Sequence, residues 1–349
     1  MPAAKAQTSL PRVTVFSTGG TIASIPSGAS AASPALTADQ LVAALPQLDS
    51  VARITAIPFR QVASSELTLG DMIALAAEIE LAVAGGADGV AITQGTDTLE
   101  ETSFALQLLY GGEAPVVLTG AMRNPALPGA DGPANLLGAA QLAASPVARG
   151  LGALVVFNDE VHLPLFVRKT HTANLATFRS PLTGPIGWIV ENRPRIALRP
   201  SVRHAIRLSA SAQAIPQVAL LKAAIGDDGR LLPSIVSMGY RGLVLEAMGG
   251  GHVPRAMVAP LADLAQHIPV VLTSRTGAGE VLRGTYGFPG SETDLLARGL
   301  IHGGILDGPK ARVLLALLLA SDAPCETIET AFASIGTPGT ESAFRWSAP

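Results

Sequence analysis

The chain predicts an α/β protein, a larger N-terminal domain on a doubly covered, mostly parallel sheet followed by a smaller C-terminal α/β domain. Three observations lead there. Short runs rich in Val, Ile and Thr alternate with longer Ala/Leu segments up to Phe157 and again from Val218, and alternating strand and helix builds right-handed βαβ units. The short runs are apolar on both faces, as strands covered on each side require. At roughly 100–200 residues per domain, 349 residues suggest about two domains.

Val13–Ser17 reads as the first buried strand, and Thr37–Leu45 as a helix with Thr37 at its N-cap. Arg53–Val62 is a second strand; Pro58 interrupts it and places it near a sheet edge. Thr68–Ala84 is a helix capped by Thr68, with Asp71 at its positive end and Met72, Leu75, Ala76 and Ile79 on one face. Strand Gly89–Thr93 precedes helix Thr98–Tyr110, Pro115–Thr119 precedes helix Asn135–Ala144, and Leu151–Phe157 is the fifth strand. Pro194 to Pro216 carries Arg195, Arg199, Arg203 and Arg207 and no clear period, so the connection lies there. The limits drawn are 1–205 for the first domain, 206–217 for the linker and 218–349 for the second. Beyond it, Val218–Ala223, Gly242–Ala247 and Pro269–Thr273 read as strands, with helices Arg255–His267, Pro309–Ala320 and Thr327–Ser334.

Composition excludes several classes. Charged residues are 15% and apolar ones 48%, which rules out intrinsic disorder. Net charge is −3 and no basic run is long enough to track a phosphate backbone, so nucleic acid is not an expected partner. Met1–Pro11 is polar, without the apolar core of a signal peptide, and the longest apolar run, Val313–Ala320, is far short of a span. Neither export nor membrane association is expected. The lone Cys325 permits no intrachain disulfide and fits a reducing compartment. A cytoplasmic location follows as an expectation, with Cys325 structural rather than reactive.

Chemistry is expected beyond the carboxyl ends of the strands, where open parallel sheets bind ligands. Thr18-Gly19-Gly20-Thr21 follows the first strand, Thr93-Gln94-Gly95-Thr96-Asp97-Thr98 the third, Thr119-Gly120-Ala121-Met122-Arg123 the fourth and Asn158-Asp159 the fifth. Hydroxyls, glycines and a carboxylate would converge on one edge. Singly each has an ordinary explanation: a Gly-Gly turn, an N-cap Thr, an acid at a helix start. No phosphate-binding Gly pattern follows a strand, so nucleotide readings are weak. The histidines show no metal-ligand spacing, and neither metal nor cofactor is expected.

Together the pattern is specific. Val15-Phe16-Ser17-Thr18-Gly19-Gly20-Thr21-Ile22-Ala23 and Ile92-Thr93-Gln94-Gly95-Thr96-Asp97-Thr98-Leu99-Glu100-Glu101-Thr102 closely resemble the two signatures of the bacterial-type L-asparaginase/glutaminase family. Val117-Leu118-Thr119-Gly120-Ala121-Met122-Arg123, Asp131-Gly132-Pro133, Asn158-Asp159 followed by Lys169-Thr170, Ser274-Arg275, Tyr286-Gly287 and Lys310-Ala311-Arg312-Val313-Leu314-Leu315 also look like that family, in the right order from about residue 12 to residue 320. The resemblance implies hydrolysis of a side-chain amide with Thr21 as nucleophile. A Thr hydroxyl needs a neighbouring base, and the matching positions supply Thr96, Asp97 and Lys169. A nearby Asp favours a charged Lys, so a Thr96–Lys169–Asp97 relay, with Thr96 passing the proton, is preferred to a lone Lys base; the proton route stays open.

The resemblance also implies a substrate site of Gly20, Ser64, Ser65, Gly95, Thr96, Asp97 and Ala121. Ser64 and turn N–H groups would hold an α-carboxylate, Asp97 the α-ammonium, and the Ala121 carbonyl the amide nitrogen. Glu280 lies six residues before Tyr286, the family's spacing for an acid that reaches a neighbouring subunit's ammonium site; a solvated loop Glu is the equal alternative. The family is typically a homotetramer of intimate dimers, so a homodimer or homotetramer with intersubunit sites is expected. Two features depart from the family. No Tyr precedes Tyr110, so the usual lid phenol is missing and only Ser27, Ser30 or Ser33 could replace it. Gly249-Gly250-Gly251-His252 stands where Asn often reaches a partner's substrate; His252 reads as an ordinary loop residue. Asparagine is the expected substrate, with glutamine or another amide, or a weakly active amino-acid sensor, as alternatives.

Overall fold

The computed structural model describes residues 9–26, 32–34, 36–208, 215–339 and 343–348. The chain divides into two compact units, Met1–Pro200 and Ser201–Pro349. In the first, one eight-stranded sheet runs in the spatial order Arg193–Ile196, Gly187–Val190, Glu160–His162, Ala153–Phe157, Val116–Thr119, Gly89–Thr93, Arg12–Gly19, Arg53–Val62. The last five are mutually parallel. Arg53–Val62 is an outer strand, where the missing N–H of Pro58 costs no ladder bond.

Both faces of the sheet are covered. Val13, Val15, Ala91, Val117, Leu154 and Val156 pack with Leu136, Ala139 and Leu142 of helix Gly132–Ala143. Phe16, Val90, Ile92, Val116, Leu118 and Val155 pack with Leu75, Ile79, Leu99 and Leu106 of helices Leu69–Ala84 and Leu99–Leu109. Alternate residues of one strand feeding two cores is the period-two signature of a sheet between two layers. Thr37 and Thr68 each close a capping box, with Gln40 and Asp71 as partners. Helix Leu69–Ala84 buries Met72, Leu75, Ala76 and Ile79.

Two segments take forms that the sequence reading leaves out. Asn158 and Asp159 have φ of 50° and 62° and form the two-residue turn of a hairpin to Glu160–His162. Asn and Asp tolerate this left-handed backbone and are favoured in such turns, so the pair reverses the chain at the carboxyl end of its strand. Arg193–Ile196, overlapping the start of the aperiodic segment Pro194–Pro216, is an outer strand paired with Gly187–Val190. Its Arg-Pro-Arg-Ile pattern lacks the apolar period of an inner strand because charge and Pro suit an edge. Further on, Ala205–Arg207 pairs with Arg345–Ser347, both in the second unit.

The second unit holds a four-stranded parallel sheet in sequential order: Val218–Lys222, Gly242–Ala247, Val270–Ser274 and Ile301–His302. The fourth strand has two residues and no readable pattern. Helix Gly308–Ala320 is buried nearly all round, which explains the apolar run Val313–Ala320. Its buried Lys310 is paired with the N-cap Asp307 at 3.0 Å. No helix among the described residues is long and apolar enough to cross a membrane.

Candidate active site

Five chain segments meet at the carboxyl end of the first sheet. The strand Arg12–Gly19 ends in Gly19 and Gly20, with φ of 101° and 85°, and Thr21 opens a single 3₁₀ turn, Thr21–Ala23. A methyl group on Gly20 would lie 2.1 Å from the Gly95 nitrogen, and one on Gly95 would lie 2.7 Å from Ser64 Oγ. The backbones of the Thr21 loop and the Thr96 loop therefore touch, with the buried Ser64 side chain beside them. Only residues without Cβ permit this approach. Gly120 packs in the same way on the Gln94 carbonyl and the Thr96 methyl, and Gly132 on Ile22 and Ala121.

Lys169 comes to this edge on a two-residue ribbon, Arg168–Lys169 against Phe178–Arg179. Its Nζ donates to Thr96 Oγ1 at 2.9 Å and to Asp97 Oδ1 at 2.6 Å. Lys169 is 17% exposed and Asp97 71%, so the pair faces solvent from the carboxylate side. Asp97 Oδ2 bonds no described residue, and among the described residues nothing donates to the Ala121 carbonyl. Thr21 is half-buried, and its hydroxyl has no hydrogen-bond partner among the described residues.

Residues without an expected role hold these loops in place. The Asp131 carboxylate accepts from the N–H groups of Met122 and Arg123 at 2.9 Å each, and Asn135 Nδ2 donates to the Gly120 carbonyl at 2.9 Å. Gln94 donates to Thr98 and Thr102, and the Thr98 hydroxyl donates to the Ser64 carbonyl at 2.9 Å, tying the Ser64–Glu66 turn to the loop of Thr96. The Lys169 N–H donates to the Glu100 carboxylate. Asp131 and Glu100 stand in the motifs that carry the resemblance; Asp131 closes its own loop, whereas the partner of Glu100 is 69 positions away and only the fold supplies it.

Ser65 is exposed in the Ser64–Glu66 turn. Glu280 is exposed in the second unit, on the loop after Val270–Ser274. His252, in the same unit, lies 3.1 Å from the buried Glu292 carboxylate and packs edge-on to Tyr286. Burial raises the Glu292 carboxyl, but N–H donors from Tyr286, Thr285 and its own backbone, with His252, outweigh it and hold the group below its usual range. Ser27 and Ser30 lie outside the described residues, and Ser33 belongs to a backbone ribbon, Ala32–Pro34 against Ser24–Pro26. Among the described residues no group of three His, Cys, Asp or Glu could hold a metal ion.

Known proteins are similar to this chain. Residues 12–202 match the family model described as asparaginase, N-terminal, and residues 217–332 that of the glutaminase/asparaginase C-terminal domain. An L-asparaginase of Bacillus licheniformis is 35% identical over 89% of this chain and 96% of its own length. A probable L-asparaginase of Deinococcus radiodurans is 39% identical over 93% and 98%. The crystal structure of a probable cytoplasmic L-asparaginase from Campylobacter jejuni has a TM-score of 0.82, at 32% identity, over 93% of this chain and 99% of that one. With both family models matched in order and relatives aligned along nearly their whole length, this chain belongs to the asparaginase/glutaminase family of amidohydrolases.

Proposed function

We propose that this chain hydrolyses the side-chain amide of L-asparagine to L-aspartate and ammonia, with Thr21 as nucleophile and Lys169, Thr96 and Asp97 as its proton relay. The observation that carries the relay is Lys169 Nζ bonded to both Thr96 Oγ1 and Asp97 Oδ1 beside the loop of Thr21. The substrate α-ammonium pairs with the open Asp97 Oδ2, the α-carboxylate with Ser64 and turn N–H groups, and the amide nitrogen with the Ala121 carbonyl. The ammonium competes with Lys169 for the Asp97 carboxylate and favours the free amine at Lys169.

Thr21 Oγ then bonds to the amide carbon. Its proton passes to Thr96 as the Thr96 proton passes to the amine, and the resulting ammonium returns a proton to the departing nitrogen. Ammonia leaves and an acyl ester remains on Thr21. Water cleaves the ester by the same route, releasing aspartate and restoring the hydroxyl. Glu280 adds a second acid to the ammonium site of a neighbouring copy, which makes the enzyme a homodimer or homotetramer. A cytoplasmic location belongs to the same proposal; the lone cysteine and the Campylobacter jejuni neighbour named cytoplasmic support it.

Ammonia release from asparagine by wild type and Thr21→Ala tests the reading, with glutamine in parallel. The expected result is turnover on asparagine that falls about 10³-fold or more in the variant. Unchanged release, or binding of aspartate without turnover in the wild type, overturns it.

A further inference from the structure

We propose that Glu100 is a positioning residue for Lys169, clamping the lysine's main chain while Thr96 and Asp97 take its ammonium. This rests on the role given to Lys169 above.

Lys169 sits on a ribbon of only two residues per strand, paired with Phe178. Its flexible four-carbon stem must bring Nζ within hydrogen-bond reach of Thr96 Oγ1, so a small drift of its Cα is passed to the relay. The Lys169 N–H is held by the Glu100 carboxylate, 69 positions away in sequence. Glu100 itself is half-buried in the first turn of helix Leu99–Leu109, directly after the loop that bears Thr96 and Asp97. The three acceptors that Lys169 meets thus come from one continuous stretch, 96–100: its side chain is gripped by Thr96 and Asp97, its backbone N–H by Glu100. A helix-start acid is stabilising on its own, but that role does not require the carboxylate to reach across to a different segment. The charge-assisted bond does, and it fixes the distance between loop and ribbon.

Steady-state kinetics on asparagine with Glu100→Ala, Glu100→Gln and Lys169→Ala, each with a thermal melt, separates the outcomes. Glu100→Ala is expected to lower kcat about 10- to 100-fold, with KM within about two-fold because no substrate contact is lost. Glu100→Gln keeps an acceptor for the N–H and should recover most of kcat. Glu100→Ala with kcat within two-fold of wild type, or a Gln variant no better than the Ala variant, overturns the proposal. If Glu100→Ala does not fold, the Gln variant decides: near-wild-type kcat supports the clamp and a loss equal to that of Lys169→Ala overturns it. Lys169→Ala tests the underlying reading separately: retained turnover there defeats the relay itself, whereas its loss beside an unaffected Glu100→Ala defeats only the clamp.

Discussion

Gly20 shows how one missing side chain sets the distance between two loops. Its φ of 85° with ψ near −175° is a conformation almost confined to glycine, and the space a Cβ would fill is taken by the Gly95 backbone. Gly20→Ala is therefore expected to cost about 1–3 kcal/mol in strain alone and to push the Thr21 loop away from Thr96, lowering kcat at least about ten-fold. Urea unfolding and ammonia release on the same variant check both halves; a stable and fully active Ala variant contradicts the contact. The same logic explains why Asp97 is exposed while Lys169 is largely covered. The carboxylate has one oxygen on the lysine and is otherwise largely open to solvent, from which the substrate cation of the proposed reaction would arrive.

The hairpin that extends the first sheet carries a titration of its own. His162 ends the strand Glu160–His162, fully buried, with Nδ1 3.0 Å from Ser180 Oγ. Burial first, and then the Arg179 cation, pull its pKa from 6.5 down to about 4. Glu160 lies 3.3 Å from Nε2 but is shared with Arg179, so it does not hold a second proton on the ring. Between about pH 6.5 and 4 the unfolded chain binds a proton that the folded chain refuses. Stability falls as pH drops through that window, in total by something on the order of 3 kcal/mol. His162→Gln removes the titration and keeps a polar partner for Ser180. Its loss of unfolding free energy between pH 7 and pH 4.5 should be smaller than that of wild type; equal losses would mean that the ring titrates normally. Elsewhere the elements stand on local rules. Thr37 and Thr68 start helices because their hydroxyls satisfy N–H groups that the helix cannot.

For the molecule as a whole, the two units divide the proposed chemistry unequally: Thr21, Thr96, Asp97 and Lys169 belong to the first, Glu280 to the second. If Glu280 serves a neighbouring copy, mixing subunits of Thr21→Ala with subunits of Glu280→Gln should regenerate some complete sites. Co-refolded mixtures are expected to exceed the summed activity of the two separate variants several-fold, read as ammonia release; no gain confines the site to one chain. The periodicity of apolar residues, the Thr caps and Pro58 determined the alternating elements and the outer position of Arg53–Val62 in advance, because these are local and depend on neighbours a few positions away. The motifs likewise named Thr21, Thr96, Asp97, Ser64, Ala121 and Lys169 as candidates. Folding alone decided that Asn158-Asp159 turns the chain, that Arg193–Ile196 joins a sheet, and that Glu100 meets Lys169, Asp131 the Met122 amide and Thr98 the Ser64 carbonyl. Each of these depends on a side-chain bond to another loop or segment, on the pairing of an edge strand, or on a backbone angle that polar residues tolerate without demanding it, and none of them leaves a period in sequence.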